Sequence, residues 1–330
     1  MQQSGIYQRM NKRIIIIIGI VLSLARASYS LPLKENRDEV WLFTSFREPA
    51  TEGLRYLYSE DGLHWDSIPG VWLKPLTGAV LRDPSITQGP DGTFHLVWTT
   101  QWKGCVGFGY SSSNDLIHWS ERRIINVMDS TKTSNVWAPE LFYDEEKEQY
   151  LIIWSSQINE DDYTDEDRKG TNAAQRMYYC TTKDFISFSE TRPYYDPGFN
   201  SIDGFLLKKA PKDYVLIVKD NRKPGYSNLF CVSMSEPTPP FPKREGADSL
   251  TRSQTFGRTY SEGPCAIQVE NGEWIIYYDQ YKPQEYGAVK TKDFMTFTPI
   301  HDLISLPSWH KHGTIIKVSR DIIDALLHHK

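Results

Sequence analysis

Tyr56-Leu-Tyr-Ser-Glu-Asp-Gly-Leu-His-Trp65 returns as Gly109-Tyr-Ser-Ser-Ser-Asn-Asp-Leu-Ile-His-Trp119 and as Tyr178-Tyr-Cys-Thr-Thr-Lys-Asp-Phe-Ile-Ser-Phe188. It comes back once more as Gly287-Ala-Val-Lys-Thr-Lys-Asp-Phe-Met-Thr-Phe297, and a degenerate copy runs from Leu229-Phe-Cys-Val-Ser-Met-Ser to near Phe241. Each copy is a run of small or aromatic residues, a polar turn and a closing aromatic. The closing aromatics lie 53 to 69 residues apart. Ahead of each copy stand two apolar stretches joined by a turn, as in Pro84-Ser-Ile-Thr-Gln, Gly89-Pro-Asp-Gly92 and Thr93-Phe-His-Leu-Val-Trp-Thr-Thr100. The same pattern runs through Leu141 to Ser156, Phe205 to Lys219 and Ala266 to Tyr278. Each unit therefore reads as a four-stranded antiparallel meander, and five such units of about 55 residues predict an all-β, five-bladed β-propeller around a central funnel.

The fifth unit is short at its C-terminal end, where His312-Gly-Thr-Ile-Ile-Lys-Val318 supplies one strand. Val40 to Thr44 and Leu54 to Tyr58 are expected to complete it, because closing the ring removes an open sheet edge. Asp321 to Lys330 reads as a short terminal helix.

The chain has 330 residues, a net charge of −5 and 13% aromatic residues. An acidic balance argues against nucleic-acid binding, which needs a basic surface to displace counterions. Abundant Trp and Tyr suit stacked sheets or a sugar-binding cleft. Lys12 and Arg13 precede the apolar run Ile14 to Leu24, and Ala25-Arg26-Ala27 offers a small-x-small cleavage site. Residues 1–27 are thus expected to be a signal peptide and 28–330 a single catalytic domain, secreted or periplasmic. An apolar run of about eleven residues is too short to span a bilayer, so no stable membrane insertion is expected after cleavage. Cys105, Cys180, Cys231 and Cys265 show no metal-site spacing and read as buried thiols, although export would permit disulfides.

Aligning the units on their first strands puts Asp83, Glu140, Asp203 and Glu262 at one position, with His312 in the fifth unit. First strands line the axis of a propeller, so these groups should converge. Four converging acids repel one another unless some hold protons or a cation. Their surroundings are Arg82-Asp83-Pro84, Trp137-Ala138-Pro139-Glu140, Ile202-Asp203-Gly204 and Glu262-Gly263-Pro264.

In that order and spacing the motifs resemble glycoside hydrolase family 43, secreted arabinosidases and xylosidases with a five-bladed propeller, over nearly the whole chain after the leader. The resemblance implies that Asp83 is the general base activating water, Glu262 the general acid, and Asp203 the carboxylate that orients the acid and raises its pKa. Inversion requires the acid and base to flank the bond roughly 6.5–9.5 Å apart. Arg82, Trp137, Glu140, Phe205 and His312 are the implied substrate contacts, Glu140 standing where the family usually has Asp. Trp137, Phe205, Trp102 and Trp309 are candidate stacking faces, each also explicable as blade packing. The fifth-unit His312 in relatives touches a central Ca²⁺ or water, so a structural calcium at His312 and a neutral, hydrogen-bonded histidine are both open; no cofactor is required. His118, His301 and His310 read as surface or blade residues, and Asn159 to Arg176 as a solvated acidic loop. The function expected is release of α-L-arabinofuranosyl or β-D-xylosyl units from plant cell-wall polysaccharide. Its alternatives are a non-catalytic glycan-binding propeller and another propeller hydrolase or phosphorylase.

Overall fold

The quoted repeat is a side-chain-capped corner between the third and fourth strands of a blade. In the computed structural model, Asp61 Oδ1 accepts the backbone N–H groups of Leu63 and His64, each at 2.8 Å. Asp115 does the same for Ile117 and His118, Asp184 for Ile186 and Ser187, and Asp293 for Met295 and Thr296. The hydroxyl two residues before each Asp accepts the N–H of the residue after it: Ser59 from Gly62, Ser113 from Leu116, Thr182 from Phe185 and Thr291 from Phe294. Those four residues have φ between 54° and 70°. Left-handed backbone is costly for a side chain. Burying Leu116, Phe185 and Phe294 completely offsets that cost and turns each apolar side chain under its blade.

The structure describes residues 38–329 apart from 130, 132, 170–173, 223–227, 241–249, 270, 271 and 283. The expected signal peptide lies outside these residues, as do Phe241 and Lys330. Among the described residues the strands are β1 (Glu39–Ser45), β2 (Leu54–Ser59), β3 (Asp66–Leu73), β4 (Arg82–Gln88), β5 (Phe94–Thr99), β6 (Gly107–Ser113) and β7 (Arg123–Asn126). They continue with β8 (Trp137–Asp144), β9 (Gln149–Gln157), β10 (Gln175–Thr182), β11 (Arg192–Pro193), β12 (Ser201–Ala210), β13 (Asp213–Asp220), β14 (Leu229–Met234) and β15 (Thr251–Arg252). The last are β16 (Ser261–Gln268), β17 (Trp274–Gln280), β18 (Glu285–Thr291), β19 (Thr298–Pro299) and β20 (Ile315–Ser319), followed by helix α1 (Arg320–His328).

These strands form five four-stranded antiparallel sheets: β4–β7, β8–β11, β12–β15, β16–β19, and β20 joined to β1–β3. The protein is a five-bladed β-propeller whose inner strands are β4, β8, β12, β16 and β20. The fifth blade is closed by both ends of the described chain, with Phe43 paired to Ile315 and Glu39 to Ser319. Hydrogen bonds stitch neighbouring blades near the axis. Thr44 Oγ1 donates to the Pro84 carbonyl at 2.7 Å, and the Leu141 N–H donates to Ser85 Oγ at 3.0 Å. All four cysteines are buried and free. The acidic loop is less solvated than its composition suggested, because Asp167 is buried in a two-pronged ion pair with Arg176 at 2.8–2.9 Å.

Blade interiors depend on fitted aromatic–glycine pairs. Trp98 of β5 lies opposite Gly109 of β6, and Tyr278 of β17 opposite Gly287 of β18. A Cβ on Gly109 would fall 2.0 Å from the buried Trp98 ring, and one on Gly287 2.2 Å from Tyr278. Trp98→Ala should destabilise by about 3–5 kcal/mol and Gly109→Ala by about 1–3 kcal/mol. The double variant should lose less than the sum, since the smaller ring site accepts the methyl group. Urea unfolding of all three checks this, and strict additivity would show that the pair is not coupled.

Candidate active site

Every inner strand of the first four blades begins with one extra residue. Arg82 pairs with Thr99, yet pairing resumes at Ser85 with Val97. Trp137 with Ser155 and Glu140 with Ile153, Ile202 with Lys219 and Phe205 with Ile217, and Glu262 with Asp279 and Cys265 with Tyr277 repeat the same slip. The residue after the first pair is left-handed each time: Asp83, Ala138, Asp203 and Gly263, with φ from 44° to 55°. A bulge of this kind redirects side chains locally.

The four acids therefore do not share one position, contrary to the alignment. Asp83 and Asp203 are the left-handed bulge residues. Glu262 stands one residue earlier, in the place of Arg82, Trp137 and Ile202, and Glu140 stands two residues after the bulge residue Ala138, in the place of Ser85, Phe205 and Cys265. Sequence alignment by acid type missed an offset that strand pairing alone reveals.

Asp83, Asp203 and Glu262 nonetheless line one cavity of about 350 Å³, together with Arg82, Trp102, Trp137, Lys219 and His312. This lies within the size range of small-ligand sites. Thr99 Oγ1 donates to Asp83 Oδ2 at 2.8 Å, and His312 Nδ1 lies 3.4 Å from Asp83 Oδ1. Burial alone would raise the Asp83 pKa, but His312, Arg82 and Thr99 hold it down to about 2. Burial opposes charge on His312 as well; there Asp83, Asp203 and Asp279 prevail and lift it to about 9. Gly263 permits the contact, because a Cβ there would sit 2.4 Å from His312 Cγ. Asp203 accepts the Gly263 N–H at 3.1 Å. Burial, with the charges of Glu262 and Asp83, raises its pKa against the opposing pull of His312 and Lys219.

Glu262 Oε2 receives Lys219 Nζ at 2.8 Å, and Oε1 lies 3.8 Å from Lys311 Nζ. Lys311 also donates to Asp279 Oδ1 at 3.2 Å. Asp279 is buried opposite Glu262, and burial together with the charge of Glu262 pushes it up to about 7. Lys219, Asp279 and Lys311 escaped the sequence reading. A signal existed: Lys219 ends the apolar run Tyr214 to Val218, and Asp279 ends Trp274 to Tyr278. Thr99, Ser155, Lys219 and Asp279 are the second-strand partners at the slip, and all four are polar.

Trp137 and Trp102 form one wall, edge to face with ring centroids 6.2 Å apart, and Trp137 Nε1 donates to the Trp102 carbonyl. The Arg82 guanidinium lies 3.8 Å from the centroid of the Trp102 ring and bonds Glu48 at 2.5 Å. Other expected residues are elsewhere. Phe205, beyond its bulge, packs in the apolar core shared with Phe43, Ile217 and Tyr277, so it offers no sugar face. Glu140 is buried and absent from the cavity lining; burial, relieved only partly by Ser85 and His312, raises it to about 8. Trp309 lies outside this cavity, and His310 is buried, where Ser45 and Arg47 bond its two ring nitrogens.

A central calcium does not fit His312. Ca²⁺ prefers oxygen ligands, and the His312 ring is turned onto a carboxylate, with Nδ1 3.4 Å from Asp83 Oδ1. Of the two readings of the ring, the charges of Asp83, Asp203 and Asp279 favour the protonated form over the neutral one. Among the described residues no group of three or more His, Cys, Asp or Glu side chains is placed to hold a metal ion.

Residues 38–324 match the sequence profile of a family described as "Probable glycosyl hydrolase domain", related to glycoside hydrolase family 43. An α-L-arabinofuranosidase of Bifidobacterium longum subsp. longum is 27% identical over 151 residues, which is 39% of this chain but 14% of that protein's length. Among solved structures, a thermostable family-43 glycoside hydrolase superposes with a TM-score of 0.55 at 15% identity, covering 72% of this chain and 80% of the other. An exo-1,5-α-L-arabinanase from a bovine ruminal metagenomic library gives 0.55 at 16% identity, covering 82% and 95%. At such identities the likeness is one of fold.

The titrations make a stability profile. His312 goes from an ordinary 6.5 to about 9 on folding, so its stabilisation is whole below 6.5 and is lost as pH rises through 9. Asp279 and Glu140, raised from 3.8 to about 7 and from 4.5 to about 8, likewise weaken the fold as pH rises through those intervals. Asp83 has the opposite sign, losing its contribution as pH falls from 3.8 towards 2. Stability should peak near the acidic end, around pH 4–5, and decline towards pH 9. Glu140→Gln should flatten the decline and raise stability above pH 8. Denaturant midpoints measured from pH 4 to 9 check both, and an unchanged slope in the variant would refute the assignment.

Proposed function

Because the chain belongs to the probable glycosyl hydrolases related to glycoside hydrolase family 43, we propose that it is an exported inverting glycosidase. In this reading it releases α-L-arabinofuranosyl units from plant cell-wall glycans, with β-D-xylosyl units as the second candidate. The observation that carries it is the meeting of Asp83, Asp203 and Glu262 in one axial cavity, with unlike electrostatic surroundings. Asp83 is kept ionised by His312 and Arg82, as a base that takes a proton from water must be. Glu262 delivers a proton to the leaving oxygen. Its neighbours Asp203 and Asp279 are buried, and burial together with the charge of Glu262 raises the pKa of each. Lys219, bonded to Glu262, fixes the carboxyl's orientation. The Trp102–Trp137 wall gives the apolar faces of a sugar ring a surface to lie against.

The arabinosyl preference is supported by the Bifidobacterium relative, and export by the basic and apolar leader that precedes the propeller. Aryl α-L-arabinofuranosides and β-D-xylosides are the substrates to test, with NMR of the first-formed anomer reporting the stereochemistry. Asp83→Asn and Glu262→Gln should each lower kcat by about 10²–10⁴ with circular dichroism unchanged. A folded wild-type protein that cleaves no glycoside would leave the glycan-binding alternative standing in place of the enzyme.

A further inference from the structure

Three residues before His312, on the chain leading into β20, Trp309 is 67% exposed and has a φ of 72°. A left-handed backbone is strained for an aromatic residue, and such strain gathers where a side chain is held for use. An indole left in water also forgoes the burial that makes large aromatics stabilising. The ring borders a second cavity of about 270 Å³, shared with Tyr286, His301, Ser305 and Leu306. Tyr286 Oη and His301 Nδ1 are buried and have no hydrogen-bond partner in the protein among the described residues. Both atoms are sealed from solvent and so belong to the structure behind the cavity wall, not to its open face.

The charge around this cavity is low. His310 at its edge is hydrogen-bonded to Ser45 and Arg47, and burial with the charge of Arg47 pushes its pKa down to about 3, so the ring is neutral. Glu285 is the one carboxylate in the lining, and no lysine or arginine belongs to it. The nearest guanidinium, that of Arg47, is turned onto the His310 ring at 2.9 Å and does not line the cavity, so the wall itself offers an anion no cation. A flat apolar face beside scattered hydroxyl partners is instead what a neutral sugar ring presents surfaces for, with C–H groups on its faces and hydroxyls on its rim.

The two cavities have no lining residue in common but draw on the same two segments of chain. The segment after β17 lines the first with Tyr281 and Lys282 and the second with Gln284 and Glu285. The segment before β20 lines the second with Trp309 and His310 and the first with His312. Three residues of chain span at most about 11 Å, so the backbone of Trp309 lies no farther than that from the backbone of His312. We propose that the Trp309 cavity is a second saccharide subsite, which holds a neutral sugar unit of the glycan beyond the one that is cleaved. This rests on the glycosidase reading for its meaning, and on the cavity's own chemistry for its existence.

Kinetics of the wild type, Trp309→Ala and Trp309→Phe on an aryl α-L-arabinofuranoside and on a linear arabino-oligosaccharide test the inference. Trp309→Ala should raise KM for the oligosaccharide about tenfold, leave kcat and KM for the aryl glycoside unchanged, and be largely rescued by Trp309→Phe. An unaltered oligosaccharide KM overturns the subsite while leaving the glycosidase intact. If the wild type hydrolyses neither substrate, the glycosidase reading falls. The subsite is then read by electrophoretic retardation in gels containing soluble arabinan or xylan. Retardation lost in Trp309→Ala supports it, and equal mobility of the two proteins overturns it.

Discussion

The β-bulge at the head of each inner strand is the local constraint on which the cavity depends. A strand without it would present side chains to alternate faces at a fixed two-residue period. One additional left-handed residue breaks that period and aims Asp83 and Asp203 into the funnel while the strand below continues into the core. The same device explains Glu-Gly-Pro. Gly263 takes the left-handed position and leaves room for His312, and Glu262 is thereby displaced to the preceding residue, across the ladder from Asp279.

Cations make the convergence of acids affordable. His312 accompanies Asp83, Lys219 accompanies Glu262, and Lys311 bridges Glu262 and Asp279. The result is an alternation of charge around the axis in place of the bare ring of carboxylates that first strands alone would suggest. Glu140 forms no ion pair among the described residues, and His312 acts on it only through its charge. It is removed from the cavity and keeps its proton by burial, a different solution to the same repulsion.

The propeller was readable because its corners are local chemistry. An Asp that gathers two N–H groups and a hydroxyl two residues before it leave a signature in ten residues, repeated at Asp61, Asp115, Asp184 and Asp293. Asp83 and Glu262 were readable because Asp-Pro and Glu-Gly-Pro are also short-range patterns, and Asp203 because it stands at the head of the next unit in the repeat. Lys219, Asp279 and Lys311 were not, since each acquires meaning only from a partner on another strand. Register was equally hidden: Glu140 looks aligned with the other acids until pairing shows it past the bulge, at the position Phe205 holds in the next blade. Trp309 illustrates the reverse case, a residue picked for its type whose surroundings turned out to be a separate cavity.

Joining β20 to β1 brings Thr44 beside Thr314, 270 residues away along the chain. Closing so long a loop is entropically expensive and kinetically late, because contacts distant in sequence form slowly. His312 lies on the approach to that closing strand. A chain with its first four blades assembled and the fifth still open would own every carboxyl of the cavity but not the imidazolium beside Asp83. Under the function proposed above, the surroundings of the base are complete only once the ring has closed, and activity would report that closure.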